Sequence, residues 1–182
     1  MNNWIFPLEK CSGIPINYHP GSFGFKRREK YHTGVDLYCK EGDPVFAVQK
    51  GLVTSVEKFT GAWDGSPWWL NTECILIQGD SGTICYGELI PKVIVGQYVS
   101  KGEIIGHITP VLPEERLRID IPGHSCSMLH LELYLGYYSK ASTSWEQGRK
   151  ELNLYDPTVD LLESITNNLN NKKLLTWAGN FS

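Results

Sequence analysis

The sequence lacks several features that would place it in other protein classes. Its 17 Lys and Arg against 20 Asp and Glu give a net charge of -3, and no basic cluster exceeds the short run at 25–30. A nucleic-acid partner is therefore not expected. No apolar run approaches the length of a membrane span, and the first ten residues lack the basic end and apolar middle of a secretory signal. The sequence thus predicts no membrane span and no export signal, and it leaves the oligomeric state open.

Paired cysteines are also missing. The five cysteines are an odd number and form no CxxC pair, which excludes a zinc site of the cysteine type. Free buried thiols and a disulfide between Cys11 and Cys39 are both open interpretations.

What is present predicts a β-rich chain of a length that suits one domain. Residues 43–59 carry Val, Phe and Thr around Gly51, which predicts two short strands with a bend between them. Residues 73–89 hold two β-favouring runs around Gly-Asp-Ser, the turn chemistry of a hairpin. Residues 95–109 repeat this form around Ser-Lys-Gly, and residues 129–138 predict a further strand.

Helix is expected only late in the chain, over 157–171 with Pro157 near its start, and more weakly over 144–152. Two long loops are expected at 59–71, which contains three tryptophans, and at 110–127. Several short strands with glycine turns favour a mainly β fold. We expect an antiparallel sheet or sandwich-like barrel with long surface loops and a short C-terminal helix.

His32 and Asp36 lie four residues apart beside a glycine, and both are residue types that bind zinc. A catalytic zinc site uses three protein ligands and leaves one position to water. His130, in LHLELY, would be held rigidly by a strand and is the natural third ligand. The alternative is a local hydrogen bond between His32 and Asp36 in a turn.

Several segments together resemble one known family, the lysostaphin/LytM-type zinc metalloendopeptidases, which hydrolyse peptidoglycan. In order they are HTGVDLYCKEGDPVFAVQKGLV (32–53), ECILIQGDSGTICYGEL (73–89), VIVGQYVSKGEIIGHI (93–108) and MLHLELY (128–134). The resemblance covers about residues 5 to 162. It implies a lysostaphin-type domain over 1–163 and a C-terminal extension over 164–182.

The resemblance also implies functional residues. His32, Asp36 and His130 would bind Zn²⁺, and Glu132 would orient His130 from behind unless it simply reaches solvent. Trp68 and Trp69 would wall a substrate groove, although ordinary packing is the simpler account. The substrate would be a peptide of bacterial peptidoglycan. Members of the family are usually secreted, periplasmic or on the cell surface, and the sequence leaves the compartment open.

Two further histidines of the family are replaced, one by Glu88 in YGEL and one by Met128 in MLH. Loss of a general base or an oxyanion donor typically costs about 10²–10⁴ in rate. Glu88 could serve as a replacement base, and His124 or His107 could reach the site from a loop or a strand. Non-enzymatic chemotaxins of this fold show similar departures and a cysteine pair that resembles Cys11 and Cys39.

Three functional hypotheses therefore stand. The first is a zinc metallopeptidase that cleaves peptidoglycan peptides. The second is a catalytically impaired zinc-binding module that recognises cell-wall fragments or a protein partner. The third is a structural domain in which His32 and Asp36 only form a hydrogen bond. The sequence alone leaves enzymatic activity undecided, because the ligand residues fit the family and the catalytic histidines do not.

Overall fold

The computed structural model describes residues 3–27, 30–117, 125–140, 153–167 and 176–178, and this part of the chain is mainly β. The strands are β1 (Ile14–Ile16), β2 (Lys26–Arg27), β3 (Lys30–Tyr31), β4 (Val35–Tyr38), β5 (Pro44–Phe46), β6 (Gly51–Thr60), β7 (Thr72–Gly79), β8 (Gly82–Pro91), β9 (Tyr98–Val99), β10 (Ile104–Ile108), β11 (Met128–Tyr134), β12 (Leu154–Tyr155) and β13 (Thr176–Ala178). The helix α1 spans Thr158–Asn167. Single 3₁₀ turns lie at Ala62–Asp64 and Glu114–Arg116.

One antiparallel sheet of nine strands organises the molecule. Its main order is β12-β11-β8-β7-β6-β9. β4 pairs with β11, and β10 pairs with both β5 and the end of β8. Among the described residues the sheet does not close on itself. The expected mainly β architecture with a short C-terminal helix is confirmed.

The two faces of the sheet differ in character, and β11 shows the difference most clearly. Successive side chains of a strand point to opposite faces. Leu129, Leu131 and Leu133 face the main apolar core, while His130 and Glu132 lie on the other face. The core also contains side chains from most of the other strands, including Val35, Leu37, Val45, Val53, Ile75, Ile77, Ile84 and Tyr86. Each such side chain contributes about 1.5–3 kcal/mol on burial, so this core fixes the register that positions the opposite face.

Most strand expectations are confirmed, and one pairing is wrong. A new strand begins at Gly51, and the 73–89 segment forms a hairpin of β7 and β8. Residues 95–109 do contain two strands, but they do not pair with each other. β9 pairs with β6, and β10 pairs with β5 and β8. The reason is that β11 covers β8 only as far as Gly87, which leaves the end of β8 available to β10.

The helix α1 lies inside the expected segment 157–171, and residues 168–171 are outside the described part. The Asp156 carboxylate accepts a hydrogen bond from the Thr158 backbone N–H at 2.9 Å, which satisfies a free donor at the helix start. The weaker helix expected over 144–152 lies outside the described residues. Nothing helical in the described ranges has both the length and the apolar character needed to cross a bilayer.

The C-terminal residues meet the N-terminal region. β13 pairs in parallel with β1, and α1 runs across residue 163. The division into a domain over 1–163 and an extension over 164–182 stays a prediction. All five cysteines are free thiols in this structure, so Cys11 and Cys39 are not joined by a disulfide.

Candidate metal centre

Three side chains from distant parts of the sequence converge on the face of the sheet that is opposite the apolar core. His32 Nε2 lies 3.0 Å from Asp36 Oδ1, and His130 Nδ1 lies 2.8 Å from the same oxygen. The two ring nitrogens are 3.2 Å apart. All three side chains are buried. The structure therefore brings together the residues that the sequence suggested as ligands.

Strand register and one glycine create this convergence. In the β4–β11 ladder Asp36 lies directly opposite His130, which puts both side chains on one face. His32 precedes β4 in the connection from β3. A Cβ at Gly34 would lie 2.9 Å from His130 Nε2 and still closer to the Leu131 carbonyl oxygen. The glycine in His-x-Gly-x-Asp is therefore required by this close approach of two backbones.

Each imidazole is held by its second nitrogen. His32 Nδ1 lies 2.9 Å from the Ser22 carbonyl oxygen, to which it can donate, and His130 Nε2 lies 3.0 Å from Glu132 Oε1. Glu132 also accepts hydrogen bonds from the hydroxyls of Thr33 and Tyr134. Such partners fix the tautomer and the ring orientation of a metal-binding histidine. Glu132 is buried and does not reach solvent.

The charges of the site compensate one another. Burial would raise the pKa of Asp36, but the His32 and Arg27 charges hold it well below its usual range. Burial would lower the pKa of His130, but hydrogen bonds to Asp36 and Glu132 raise it to about 10. For His32, burial and then the Arg27 charge lower the pKa to about 4. Without a metal, the positive charge of protonated His130 thus balances the negative charges of Asp36 and Glu132. A bound cation could supply that positive charge instead.

The donor set and its spacing fit a zinc ion. Two imidazoles and one carboxylate are typical of sites that leave a fourth position to water. Ligands at 2.0–2.1 Å from a tetrahedral ion stand about 3.3 Å from one another. The three donor atoms are already 2.8–3.2 Å apart. Only small side-chain movements would therefore be needed to hold the ion.

Glu88 lies beside this group because of a β-bulge. Gly87 pairs with Cys74 and Leu89 with Glu73, so Glu88 is the extra residue, and its φ is 69°. A bulge re-aims a side chain, and the charges of Asp36 and His130 act on the pKa of Glu88. Burial, followed by the Asp36 charge, raises that pKa to about 8. Its Oε2 is buried with no hydrogen-bond partner among the described residues.

The end of the site beside Met128 is apolar. Met128 lies on the same face of β11 as His130, two residues away, and opposite Tyr38 on β4. We use the name apolar half for the cluster formed by Tyr38, Val111 and Met128, with Trp69 and Leu112 packed against it. Trp68 is 51% exposed and is not part of this cluster. A side chain with no hydrogen-bond donor therefore stands where the family has a histidine.

Of the two substitute histidines, the structure describes only His107. His124 lies outside the described residues. His107 lies on β10 opposite Ile90 and Pro44, and within the described ranges the group able to hold a metal consists of His32, Asp36 and His130.

Sequence reasoning missed Arg27 and Tyr134. The Arg27 guanidinium lies 2.6 Å from Asp36 Oδ2, yet in the sequence it was only one member of a short basic run. Tyr134 shares a face with His130 and Glu132, so strand alternation alone could have indicated it.

Comparisons with known proteins agree with the fold. The profile of peptidase family M23 matches residues 30–135, more than half of the 182 residues. A search of characterised proteins gave no match. The solution structure of lysostaphin has a TM-score of 0.52 at 21% identity, with 91% of this chain and 54% of that protein covered.

Two further structures are similar to the chain. One is the catalytic domain of the antimicrobial peptidase lysostaphin from Staphylococcus simulans, with a TM-score of 0.49, 22% identity, and 80% of this chain and 90% of that chain covered. The other is a zinc-containing peptidase from Vibrio cholerae, with a TM-score of 0.49, 22% identity, and 78% and 40% covered. The profile match, over a fold shared with lysostaphin, shows that the chain belongs to peptidase family M23.

Proposed function

We propose that the chain is a zinc-dependent metallopeptidase-like domain directed at peptides of bacterial peptidoglycan. The observation that carries the proposal is the convergence of His32, Asp36 and His130 on one face of the sheet. Membership of a peptidase family supports a peptide substrate. Resemblance to the lysostaphin-type enzymes supports cross-bridges and stem peptides of the cell wall as the substrate class.

In this proposal each residue has a defined task. His32 and His130 each offer one nitrogen to the metal, while Ser22 and Glu132 hold the other nitrogen. Zinc in such a site supplies a water with a pKa near 7 and polarises a carbonyl group. The protein itself fixes the orientation of both imidazole rings and of the Asp36 carboxylate.

We assign proton transfer to Glu88. A general base works best when its pKa lies near the working pH, and in the protein without a metal burial raises the pKa of this carboxyl to about 8. Its Oε2 is buried and has no hydrogen-bond partner in the described part of the chain, so its hydrogen-bonding capacity is unused there. The positive φ of Glu88 costs about 1–2 kcal/mol relative to a right-handed backbone, and strain of this kind concentrates at functional sites.

Further residues are proposed for the substrate groove and for proton transfer. Trp68 is half exposed and Trp69 packs beside Met128, which supports them as a wall of the substrate groove. His124 is retained as a second candidate proton donor from the 110–127 loop. The domain that carries this function is proposed to span residues 1–163.

A second candidate function is an impaired, zinc-binding recognition module. The apolar half favours it, because Met128 offers no donor for an oxyanion and such a donor is worth about 10²–10³ in rate. The near-complete burial of His32, Asp36 and His130, at 0%, 3% and 1% exposure, also limits access to the metal. Such a module would bind wall fragments or a protein partner without cleaving them.

The first experiment measures zinc content and turnover on the same protein. Protein purified without chelator is analysed for zinc, saturated with zinc, and incubated with peptidoglycan, glycine-rich peptides and D-amino-acid stem peptides. We expect one zinc per chain and slow release of new amino termini, lost in Glu88→Gln. Absence of zinc from wild-type protein in excess zinc would sink the proposal. Full zinc with no cleavage would favour the recognition module.

A second experiment separates an impaired enzyme from a blocked groove. Glu88→His combined with Met128→His restores both histidines of the family. If the groove is otherwise intact, the double variant gains hydrolysis over wild type. Without such a gain, the groove itself is closed to peptides. His130→Gln added to the double variant is the control and should abolish any gain.

A further inference from the structure

Arg27 links the chain segment that precedes His32 to the Oδ2 oxygen of Asp36. Its Nη2 lies 2.6 Å from Asp36 Oδ2. The same Nη2 and the Nε lie 2.7 Å and 3.1 Å from the Pro20 carbonyl oxygen. The Arg27 side chain is 27% exposed and that of Asp36 only 4%. The guanidinium is therefore held at two places.

The two oxygens of Asp36 have different neighbours. Oδ1 faces His32 and His130 at 3.0 Å and 2.8 Å, whereas Oδ2 faces Arg27. We infer that Arg27 is a positioning residue that occupies Oδ2, so that Asp36 presents one oxygen to the metal. This inference rests on the proposed zinc site.

The arrangement suits arginine because its planar fork can satisfy two acceptors in fixed directions. The segment that Arg27 grips also holds the backbone of Asp36, since Gly21 O accepts the Asp36 backbone N–H at 2.8 Å. One short stretch of chain thus fixes both the main chain and the carboxylate of a ligand. A lysine would keep the charge but, as a single point donor, would not reproduce both contacts.

Two effects of Arg27 on zinc binding oppose each other. Its positive charge repels a nearby cation. Its hydrogen bonds to Asp36 Oδ2 and to the Pro20 carbonyl oxygen hold the carboxylate in one orientation. Partners behind a metal ligand are typically worth about 10–100-fold in affinity. We expect orientation to win because the Asp36 side chain is only 4% exposed and Oδ2 has the Arg27 guanidinium at 2.6 Å.

The test compares zinc affinity in Arg27→Met, Arg27→Lys and Lys26→Gln by competition with a chelating dye. Lys26→Gln is the matched control, since it removes one positive charge from the adjacent, exposed position of the same strand. Arg27→Met should bind zinc about 10–100-fold more weakly, Arg27→Lys should be intermediate, and Lys26→Gln should match wild type. Loading with Co²⁺ gives a second readout, because its visible absorption weakens when a second carboxylate oxygen joins a four-coordinate site.

The outcomes separate this inference from the proposed function. If wild type binds zinc and Arg27→Met binds it equally or more tightly, with an unchanged Co²⁺ spectrum, Arg27 has no positioning role and the zinc site stands. If wild type binds no zinc, both fail. Should Arg27→Met not fold, Arg27→Lys decides the matter: wild-type affinity and spectrum in that variant would overturn the inference.

Discussion

One face of β11 carries two regions of opposite character. We call His32, Asp36, His130 and Glu132 the ligand half; their side chains form a buried network of hydrogen bonds and charges. The apolar half lies next to it on the same strand. Its Met128, two residues before His130, packs against Tyr38 and Val111. A group able to hold a metal thus lies beside an apolar cluster on the same face of the sheet.

The two halves should respond differently to substitution. A buried polar network is costly when one member is removed, because its partner is left unsatisfied. Apolar packing tolerates exchanges that conserve volume, usually at less than about 1.5 kcal/mol. Large effects on metal binding should therefore be confined to the ligand half, and four predictions test this contrast.

The largest effect is expected for His130→Gln, which removes one of three ligands. Zinc in protein sites is held by about 10–16 kcal/mol in all, so losing a ligand should weaken binding by about 10³-fold, measured by chelator competition. His107→Gln on β10 is the matched control and should bind as wild type does. Equal zinc affinity in both variants would show that the ligand half holds no metal.

Gly34→Ala should damage the ligand half without replacing any of its four residues. The new Cβ would meet the Leu131 carbonyl and approach His130 Nε2 to 2.9 Å. We expect a loss of about 3–4 kcal/mol in the free energy of unfolding, measured by urea denaturation. Gly42→Ala, where the Cβ would have open space and only φ +82° to overcome, should cost about 1–2 kcal/mol. Equal losses would mean that the close approach of β4 and β11 is unimportant.

Met128→His probes the apolar half. The imidazole would enter a cluster with Tyr38, Val111 and Trp69, and a buried polar group without a partner costs about 2–3 kcal/mol. Met128→Leu keeps the volume and should cost less than about 1.5 kcal/mol. Thermal unfolding of both variants measures the difference. A Met128→His protein as stable as wild type would mean that a polar partner already exists at this end of the site.

The ligand half was predictable from sequence because its causes are local or periodic. His32, Gly34 and Asp36 form a short motif, and strand alternation places His130 and Glu132 on one face. Tertiary register then follows from burying Leu129, Leu131 and Leu133 on the other face, since a slip by one residue would expose all three.

The remaining features depend on contacts that no local pattern encodes. Strict alternation would put Glu88 on the face opposite Gly87, and the bulge with its positive φ breaks that alternation. Arg27 contacts Asp36, which lies nine residues later in the sequence. Nothing in the basic run at 25–30 indicates that partner. β9 and β10 pair with strands that are distant in the sequence and not with each other, because pairing depends on which sheet edges are free. No local sequence pattern encodes this either.

Of the four variants, Glu88→Gln should have the smallest effect on the protein. It tests whether Glu88 is a buried carboxyl that holds its proton in the folded state. In the metal-free protein, burial raises the pKa of Glu88 from 4.5 to about 8, so the folded chain holds this proton at pH values where the unfolded chain has lost it. The associated stability is fully present below about pH 4.5 and is lost as the pH rises through about 8. Each pH unit inside that window changes the free energy of unfolding by at most about 1.4 kcal/mol.

Urea denaturation at pH 5.0 and pH 6.5 measures this effect as a difference between wild type and Glu88→Gln, because the lowered pKa of His32 makes both proteins more stable as the pH rises over the same interval. Between the two pH values the free energy of unfolding of wild type should fall by about 1–2 kcal/mol relative to that of Glu88→Gln. Glu41→Gln, at an exposed turn, should keep the wild-type slope. A wild-type slope in Glu88→Gln would mean that the carboxyl is solvated, and it would remove Glu88 as a buried proton carrier beside the metal ligands.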